Sequence, residues 1–244
     1  MRCVPVPTQQ QSPQSGNLFP TKTAIMNYKN FSESNSLLGQ YLREMRDIKL
    51  QSDTVRFRNN IRRIGHIMAY EISQHLNYTP CQTRTPLGIA HEHILTDQIV
   101  IASILRAGLP LHEGLLDCFD QAENAFVSAY RYTKDPDSTE IDVHVEYLAS
   151  PRLDGKTLIL CDSMLATGQS MLLSYKALAT KGVPENIHLV SIIASQQAID
   201  TIRRNFPTEN FSLWVGAVDA DLNSHSYIVP GLGDAGDLAF GQKD

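Results

Sequence analysis

Residues 157–171, TLILCDSMLATGQSM, pass from an apolar run through Asp162 into a small-residue turn, Ala166-Thr167-Gly168. A strand that turns at once into a helix leaves backbone N–H groups and the positive helix end pointing outward. Thr167 and Ser170 add hydroxyl donors, so residues 166–170 read as a phosphate cradle. Asp162 cannot serve a phosphate directly, because like charges repel. It suits sugar hydroxyls, or a phosphate reached through Mg²⁺. The same residues also fit a plain strand-to-helix turn with a helix-capping aspartate, and spacing alone leaves both readings open. No G-x-x-x-x-G-K-[ST] occurs, which excludes a Walker-type nucleotide loop.

Two further stretches carry candidate chemistry. In LRAG, residues 105–108, Arg106 offers a planar five-donor fork beside Gly108, where backbone can approach a ligand closely. An arginine after a strand equally serves as a surface ion-pair partner. The tail, residues 227–241 (YIVPGLGDAGDLAFG), contains G-x-G-x-x-G as Gly231, Gly233 and Gly236. Only eight residues follow Gly236, too few for the helix and second strand of a dinucleotide fingerprint. The frame of Tyr227, Ile228, Val229, Pro230 and Phe240 favours an ordered loop whose backbone faces a ligand over a flexible tail.

Other groupings are weaker. His91-x-His93 has no third ligand nearby and reads as polar surface rather than a metal site. No G-x-S-x-G elbow is present. Cys3, Cys81, Cys118 and Cys161 are far apart and form no C-x-x-C pair, which suits a reducing cytoplasm rather than a disulfide framework or zinc. Cys161, inside an apolar run, reads as a small buried hydrophobe.

The elements that must position these loops follow from periodicity. Ser36 can cap a helix over LLGQYLREMRDIKL. Ser52 or Asp53 can cap a longer one with Ile61, Ile64, Met68, Ile72 and Leu76 on one face. A polar stretch with Pro80 and Pro86 breaks the pattern. From Gln98 onward, apolar strands (QIVIAS, AFVSAY, residues 157–161, IHLVSIIA, FSLWVGAV) alternate with helical runs (PLHEGLLDCF, residues 170–180, QAIDTIRRNF). That alternation means βαβ units and a parallel sheet covered on both faces, an α/β fold with an N-terminal helical adjunct. Residues 131–151 carry an Asp135-Pro136-Asp137 turn and alternating Ile141, Val143 and Val145, which reads as a two-stranded flap or a plain surface hairpin.

The totals bound the class. The chain has 244 residues, 42% hydrophobic and 19% charged, as an ordinary globular protein has. No apolar run approaches the roughly 18 residues of a membrane span. The net charge of −5 with scattered basic residues argues against a nucleic-acid surface. Residues 1 to about 26, rich in Pro, Gln and Ser, read as a disordered extension. We set the division at residues 1–30 for the extension and 31–244 for a single catalytic domain.

Taken together, the three loops resemble a known family. DSMLATGQS (162–170) resembles the phosphoribosyl-diphosphate motif of type I phosphoribosyltransferases, in the D-P-M-L-A-T-G-G-S form of uracil phosphoribosyltransferases. ILRAGLPL (104–111) resembles that family's P-I-L-R-A-G-L segment, and SYIVPGLGDAGD (226–237) its uracil-binding loop. The resemblance spans about residues 32–241. It implies a type I phosphoribosyltransferase-like parallel sheet flanked by helices, with N-terminal helices and a β-hairpin flap. It implies transfer of phosphoribose from 5-phospho-α-D-ribose 1-diphosphate (PRPP) to uracil, giving UMP and pyrophosphate with Mg²⁺. The alternative is a catalytically weak or inactive regulatory homologue that binds PRPP or a nucleotide.

Carried over by position, the resemblance assigns catalysis to Asp162, Arg106 and Asp234. It assigns PRPP to Arg106, Arg131, Asp162, Ser163, Met164, Leu165, Ala166, Thr167, Gly168, Gln169, Ser170 and Asp234. Uracil falls to Ile228, Gly233, Asp234 and Ala235, with Mg²⁺ held mainly through the diphosphate and by no firm protein ligand. A homodimer or larger homo-oligomer and a GTP effector are implied by the family alone; that nucleic acid and membrane are not partners is expected from charge and hydropathy. Two positions depart from the motif: Ser163 replaces its proline, and Gln169 replaces the second glycine of its phosphate loop. Gln169 is expected to need a conformation that its Cβ permits, and to crowd the phosphate if it cannot adopt one.

Overall fold

The computed structural model describes residues 4–5, 27–133, 141–208 and 210–242; the side chains of residues 4–5, 129–133 and 141–145 lie outside that description. Strand β1 is Val4–Pro5 and β2 is Asn27–Asn30, followed by helices α1 (Leu37–Arg46) and α2 (Thr54–Ser73). Then come β3 (Tyr78–Arg84), β4 (Ile89–Leu95), β5 (Ile99–Ile104), α3 (Leu109–Leu116), β6 (Glu123–Thr133) and β7 (Ile141–Ala149). The chain closes with β8 (Thr157–Leu165), α4 (Gln169–Leu178), β9 (Asn186–Ser195), α5 (Gln196–Asn205) and β10 (Phe211–Asp219). Last are β11 (Asp221–Leu222), β12 (Ile228–Val229) and α6 (Ala235–Phe240).

The main sheet has seven strands in the order β2-β10-β9-β8-β5-β6-β7. All neighbours are parallel except β6 and β7, which form an antiparallel hairpin at one edge. Strand β5 is buried along its whole length, and β8, β9 and β10 almost so, because helices cover both faces. One core cluster holds Ile61, Ile64, Met68 and Ile72 of α2 with Ile101, Ile159 and Trp214 of the sheet. The other packs Leu172 and Leu178 of α4 and Ile199 and Ile202 of α5 on Leu158, Leu160 and Leu189. Truncating a fully buried side chain such as Ile64 to alanine costs about 2–5 kcal/mol.

Several expectations shift at their boundaries. Helix α2 starts after Asp53, whose carboxylate accepts from Arg56 N–H at 3.0 Å, so Asp53 rather than Ser52 is the cap. Helix α1 stops at Arg46, short of the expected run through Leu50, and Ser36 stands at its N-cap without a side-chain hydrogen bond. Residues 27–30, placed in the extension by sequence, form the edge strand β2 on β10. Residues 78–95, read as a polar break, form the antiparallel hairpin β3–β4. The expected flap is the β6–β7 hairpin, its lower part built into the sheet; Asp135, Pro136 and Asp137 lie outside the described residues.

Candidate active site

The strand order reverses between β5 and β8. The chain leaves β5 for β6 on one side and returns in β8 on the other, so the loops after β5 and β8 diverge and leave a crevice. The registers pair Ser103 with Cys161; β5 ends one residue further on and β8 four residues further on. They meet at an open cleft of about 420 Å³ that also takes in the tail. Arg106, Asp162, Ser163, Ser170, Tyr227 and Asp234 are among the residues lining it.

On the β5 side, Gly108 lies so close to the strand ends that a Cβ would sit 2.4 Å from Ile104 O and 3.0 Å from Cys161 O. The Leu105–Arg106 peptide is cis. The Arg106 guanidinium donates from Nη2 to Asp237 Oδ1 at 2.9 Å and from Nη1 to the Gly241 carbonyl at 3.2 Å. Its Nε–H is buried with no protein partner. A charged donor left unmatched inside a cleft is costly unless a ligand supplies the acceptor.

On the β8 side, the turn is made by Gly168 at φ +82°, in the left-handed region that favours glycine, immediately before α4. Ser195 Oγ holds the Ala166 carbonyl at 2.5 Å. Gln169 is the first helical residue and its side chain is exposed, so the motif's second glycine is not required for backbone geometry here. Gln169 thus adopts a helical conformation that its Cβ permits. Ser163 is 1% exposed, and its hydroxyl has no hydrogen-bond partner although it borders the cleft. Leu165 is buried in the cluster with α4 and α5, whereas Met164, half-buried, packs against the other cluster on the α2 face and also borders the cleft. Thr167, Gly168 and Gln169 do not line the cleft; they form the turn between Ala166 and Ser170, which do.

The tail is folded tightly. Strands β11 and β12 pair Leu222 with Ile228, and Asn223 Oδ1 accepts from the N–H groups of His225 and Tyr227. After the cis Val229–Pro230 bond the chain turns through Gly231 (φ +58°) and Gly233 (φ +88°) into α6. Asp234 caps α6 by accepting from Asp237 N–H at 3.0 Å, and it faces the cleft beside Arg106. The side chain of Ile228 is buried in the core and that of Ala235 is buried as well, while Gly233 is exposed.

Of the site residues singled out from sequence, the fold thus brings Arg106, Asp162, Ser163, Met164, Ala166, Ser170, Asp234 and Ala235 to one cleft. Arg131 lies on β6, and its side chain is outside the described residues. Cys161 is fully buried; burial, with the Asp162 charge behind it, pushes its thiol pKa up and makes it no nucleophile. His91 and His93 are exposed on β4, and among the described residues no group of three or more His, Cys, Asp or Glu side chains can enclose a metal. Sequence reading missed Arg46 and Asp219, which hold the tail from below, and Asp237, which holds Arg106. No local pattern marks the pairs, since Arg46 and Asp219 lie 173 positions apart and Arg106 and Asp237 lie 131 apart.

A larger hollow of about 590 Å³ opens at the opposite end of the sheet, beside the Lys156–Glu123 ion pair. None of the unpartnered buried polar atoms found among the described residues lines it. Convergent unmatched groups, not volume, mark the cleft as the candidate site.

Comparison with known proteins agrees with this geometry. The family model described as "Uracil phosphoribosyltransferase" matches residues 32–242. A curated uracil phosphoribosyltransferase of Porphyromonas gingivalis is 55% identical over 209 residues, covering 86% of this chain and 95% of its own. Another, of Methanothermobacter thermautotrophicus, is 38% identical over 192 residues, covering 78% of this chain and 86% of its own. Among solved structures, the AQ2163 protein from Aquifex aeolicus matches with a TM-score of 0.77 at 27% identity, covering 88% of this chain and 98% of that one.

Proposed function

Because the chain belongs to the uracil phosphoribosyltransferase family, we propose that it transfers phosphoribose from PRPP to uracil, forming UMP and pyrophosphate. The observation that carries the reading is the meeting of all three motif loops at one switch-point cleft. The N–H groups at the start of α4, with the Thr167 and Ser170 hydroxyls, suit the 5′-phosphate. Asp162 accepts from the ribose hydroxyls. Uracil N1 displaces pyrophosphate at C1′ and gives up its proton, so positive charge grows on the ribose and negative charge on the leaving group. Arg106 and Arg131 take the leaving diphosphate, an electrostatic contribution typically worth about 2.7–4 kcal/mol per well-placed donor.

Ile228, Gly233, Asp234 and Ala235 present main-chain groups to the uracil edge. Cytosine leaves one of them facing a like partner, at a cost of about 1–3 kcal/mol. Asp162 and Asp234 are the carboxylates of the cleft, and the donor set fits Mg²⁺ carried in by the diphosphate, since this ion commonly binds through one or two carboxylates plus substrate phosphates. When bound, Mg²⁺ neutralises charge on the leaving group. The β6–β7 hairpin is the element suited to shield the cleft from water.

The reading includes a single domain beginning near residue 27, homo-oligomeric assembly and a cytoplasmic setting. Leu87, Ile89 and Ile94 are exposed on the β3–β4 hairpin, a surface fit for assembly, and Cys81, Cys118 and Cys161 form no disulfide among the described residues. No described helix is long and apolar enough to cross a membrane. A GTP effector is tested by the GTP dependence of the rate. The non-catalytic alternative rests on Gln169, whose helical conformation gives it no structural support.

The test is UMP formation from uracil and PRPP with Mg²⁺, with cytosine, hypoxanthine and adenine in parallel. Product from uracil alone is expected. Product from a purine, or none from any base, overturns the reading.

A further inference from the structure

Below the tail loop, and outside the cleft, lies a partly buried ion pair that the reaction chemistry does not use. Asp219 ends β10 and is 9% exposed. Its two carboxylate oxygens accept from Arg46 Nη1 at 2.7 Å and Nη2 at 2.9 Å, a bidentate fork. Asp219 Oδ2 also accepts the Gly231 N–H at 2.9 Å, and Arg46 Nη1 also donates to the Gly231 carbonyl at 3.0 Å. Both backbone polar groups of one loop residue are thus tied to one ion pair. Gly231 itself has no room for a side chain: a Cβ there would lie 2.0 Å from Ile228 O. The pair joins the last residue of α1 to the end of a central strand, so the loop inherits the rigidity of both.

We propose that Arg46 and Asp219 are positioning residues for the acceptor base, fixing the height of the 228–235 backbone over the cleft. This rests on the assignment of that backbone to uracil. Reading a base by main-chain groups requires them to be held within about 0.5 Å, and a misplacement of about 1 Å costs roughly 100-fold. A pair that served stability alone would affect both substrates alike or neither.

Asp219→Asn keeps an acceptor for Gly231 N–H while removing the charge that holds Arg46. Arg46→Lys keeps the charge but not the fork. Both are expected to raise the KM for uracil about tenfold or more, leave the KM for PRPP within about twofold, and narrow the preference for uracil over cytosine. Amide hydrogen exchange at residues 231–235 is expected to quicken while that of β8 and β9 stays unchanged. Equal rises in both KM values, or lowered thermal stability with the uracil KM unchanged, overturn the proposal. If Arg46→Lys does not fold, Asp219→Asn is read alone; if neither folds, the pair is structural and the proposal fails. Wild-type UMP formation, measured alongside, reports separately on the assignment of the cleft: its absence sinks that assignment, whereas its presence with indifferent variants sinks only the positioning role.

Discussion

The two loops that face each other across the cleft are built by opposite means. The tail loop is fixed from within: an ion pair grips Gly231, Asn223 ties His225 and Tyr227, and Asp234 caps the helix that follows. The phosphate loop is anchored at its ends, by Ser195 on the Ala166 carbonyl and by the left-handed turn at Gly168. Around these anchors, Gln169 N–H to Thr167 Oγ1 and Met164 N–H to Asp162 Oδ1 both span 3.5 Å, the outer edge of hydrogen bonding. The Ser163 hydroxyl nearby has no protein partner. A loop that discriminates a base must hold its donors and acceptors before the base arrives. A loop that receives a phosphate can let the ligand complete its bonds.

Arg106 links the two. It rises from the β5 loop yet is held by Asp237 and the Gly241 carbonyl of the tail, with Nε–H unmatched. On the proposed assignment, a diphosphate entering the cleft meets a fork already oriented by the element that follows the tail loop.

The largest effect is expected where the tail touches the chemistry. Asp234→Asn keeps the acceptor for Asp237 N–H, so the fold and its thermal midpoint stay near wild type. The transfer rate falls by about 100-fold or more, as for loss of one preorganised charge, checked by steady-state UMP formation. Near-normal turnover would remove Asp234 from the site. Next, Arg106→Ala loses charge-assisted hydrogen bonds worth about 1.5–3 kcal/mol, which is about 10- to 100-fold in the KM for PRPP. The KM for uracil should move far less; equal movement would count against its place on the diphosphate.

The phosphate loop should respond more mildly. Ser163→Ala removes a buried hydroxyl without a partner, so the ligand-free protein gains about 1 kcal/mol in denaturant unfolding while the KM for PRPP rises a few-fold. A stability gain without any change in PRPP affinity would make Ser163 a packing residue only. Gln169→Gly is expected to change the rate by less than about threefold and to cost up to about 1 kcal/mol, because Gln169 is already helical. A large gain in rate would show that the natural loop is impaired.

The smallest effect lies outside both loops. Burial, and then the His75 charge, push the His188 pKa down to about 4, and neutral His188 Nδ1 accepts from Trp214 Nε1 at 3.1 Å. The folded pKa lies below the ordinary 6.5, so this stability is present above pH 6.5 and is lost as the pH falls through about 4. Thermal midpoints followed over that range should drop, and His188→Gln should flatten the slope.

The parallel strands and both cleft loops were legible in the sequence because burial on two faces demands uninterrupted apolar runs, as in IVIASI of β5 and residues 157–161 of β8. The β3–β4 hairpin was not. The more buried face of β3 carries Thr79, Cys81 and Thr83 rather than large apolar side chains, and β4 is mostly exposed, so neither strand shows an apolar period of two in its sequence. Helix α1 was drawn too long because Ile48 and Leu50 continue an apolar pattern past the point where Asp47 N–H closes the helix on Arg43 O. The Arg46–Asp219 pair spans 173 positions, and only the folded topology brings it together.

The central claim is that one switch-point cleft holds a phosphate at residues 166–170 and a uracil ring at the 228–235 backbone. A crystal structure with UMP tests it most directly. The account predicts the 5′-phosphate against the N–H groups that open α4 and the base edge paired with main-chain groups of 228 and 233–235. UMP bound elsewhere, or with its base turned away from the tail loop, would contradict it.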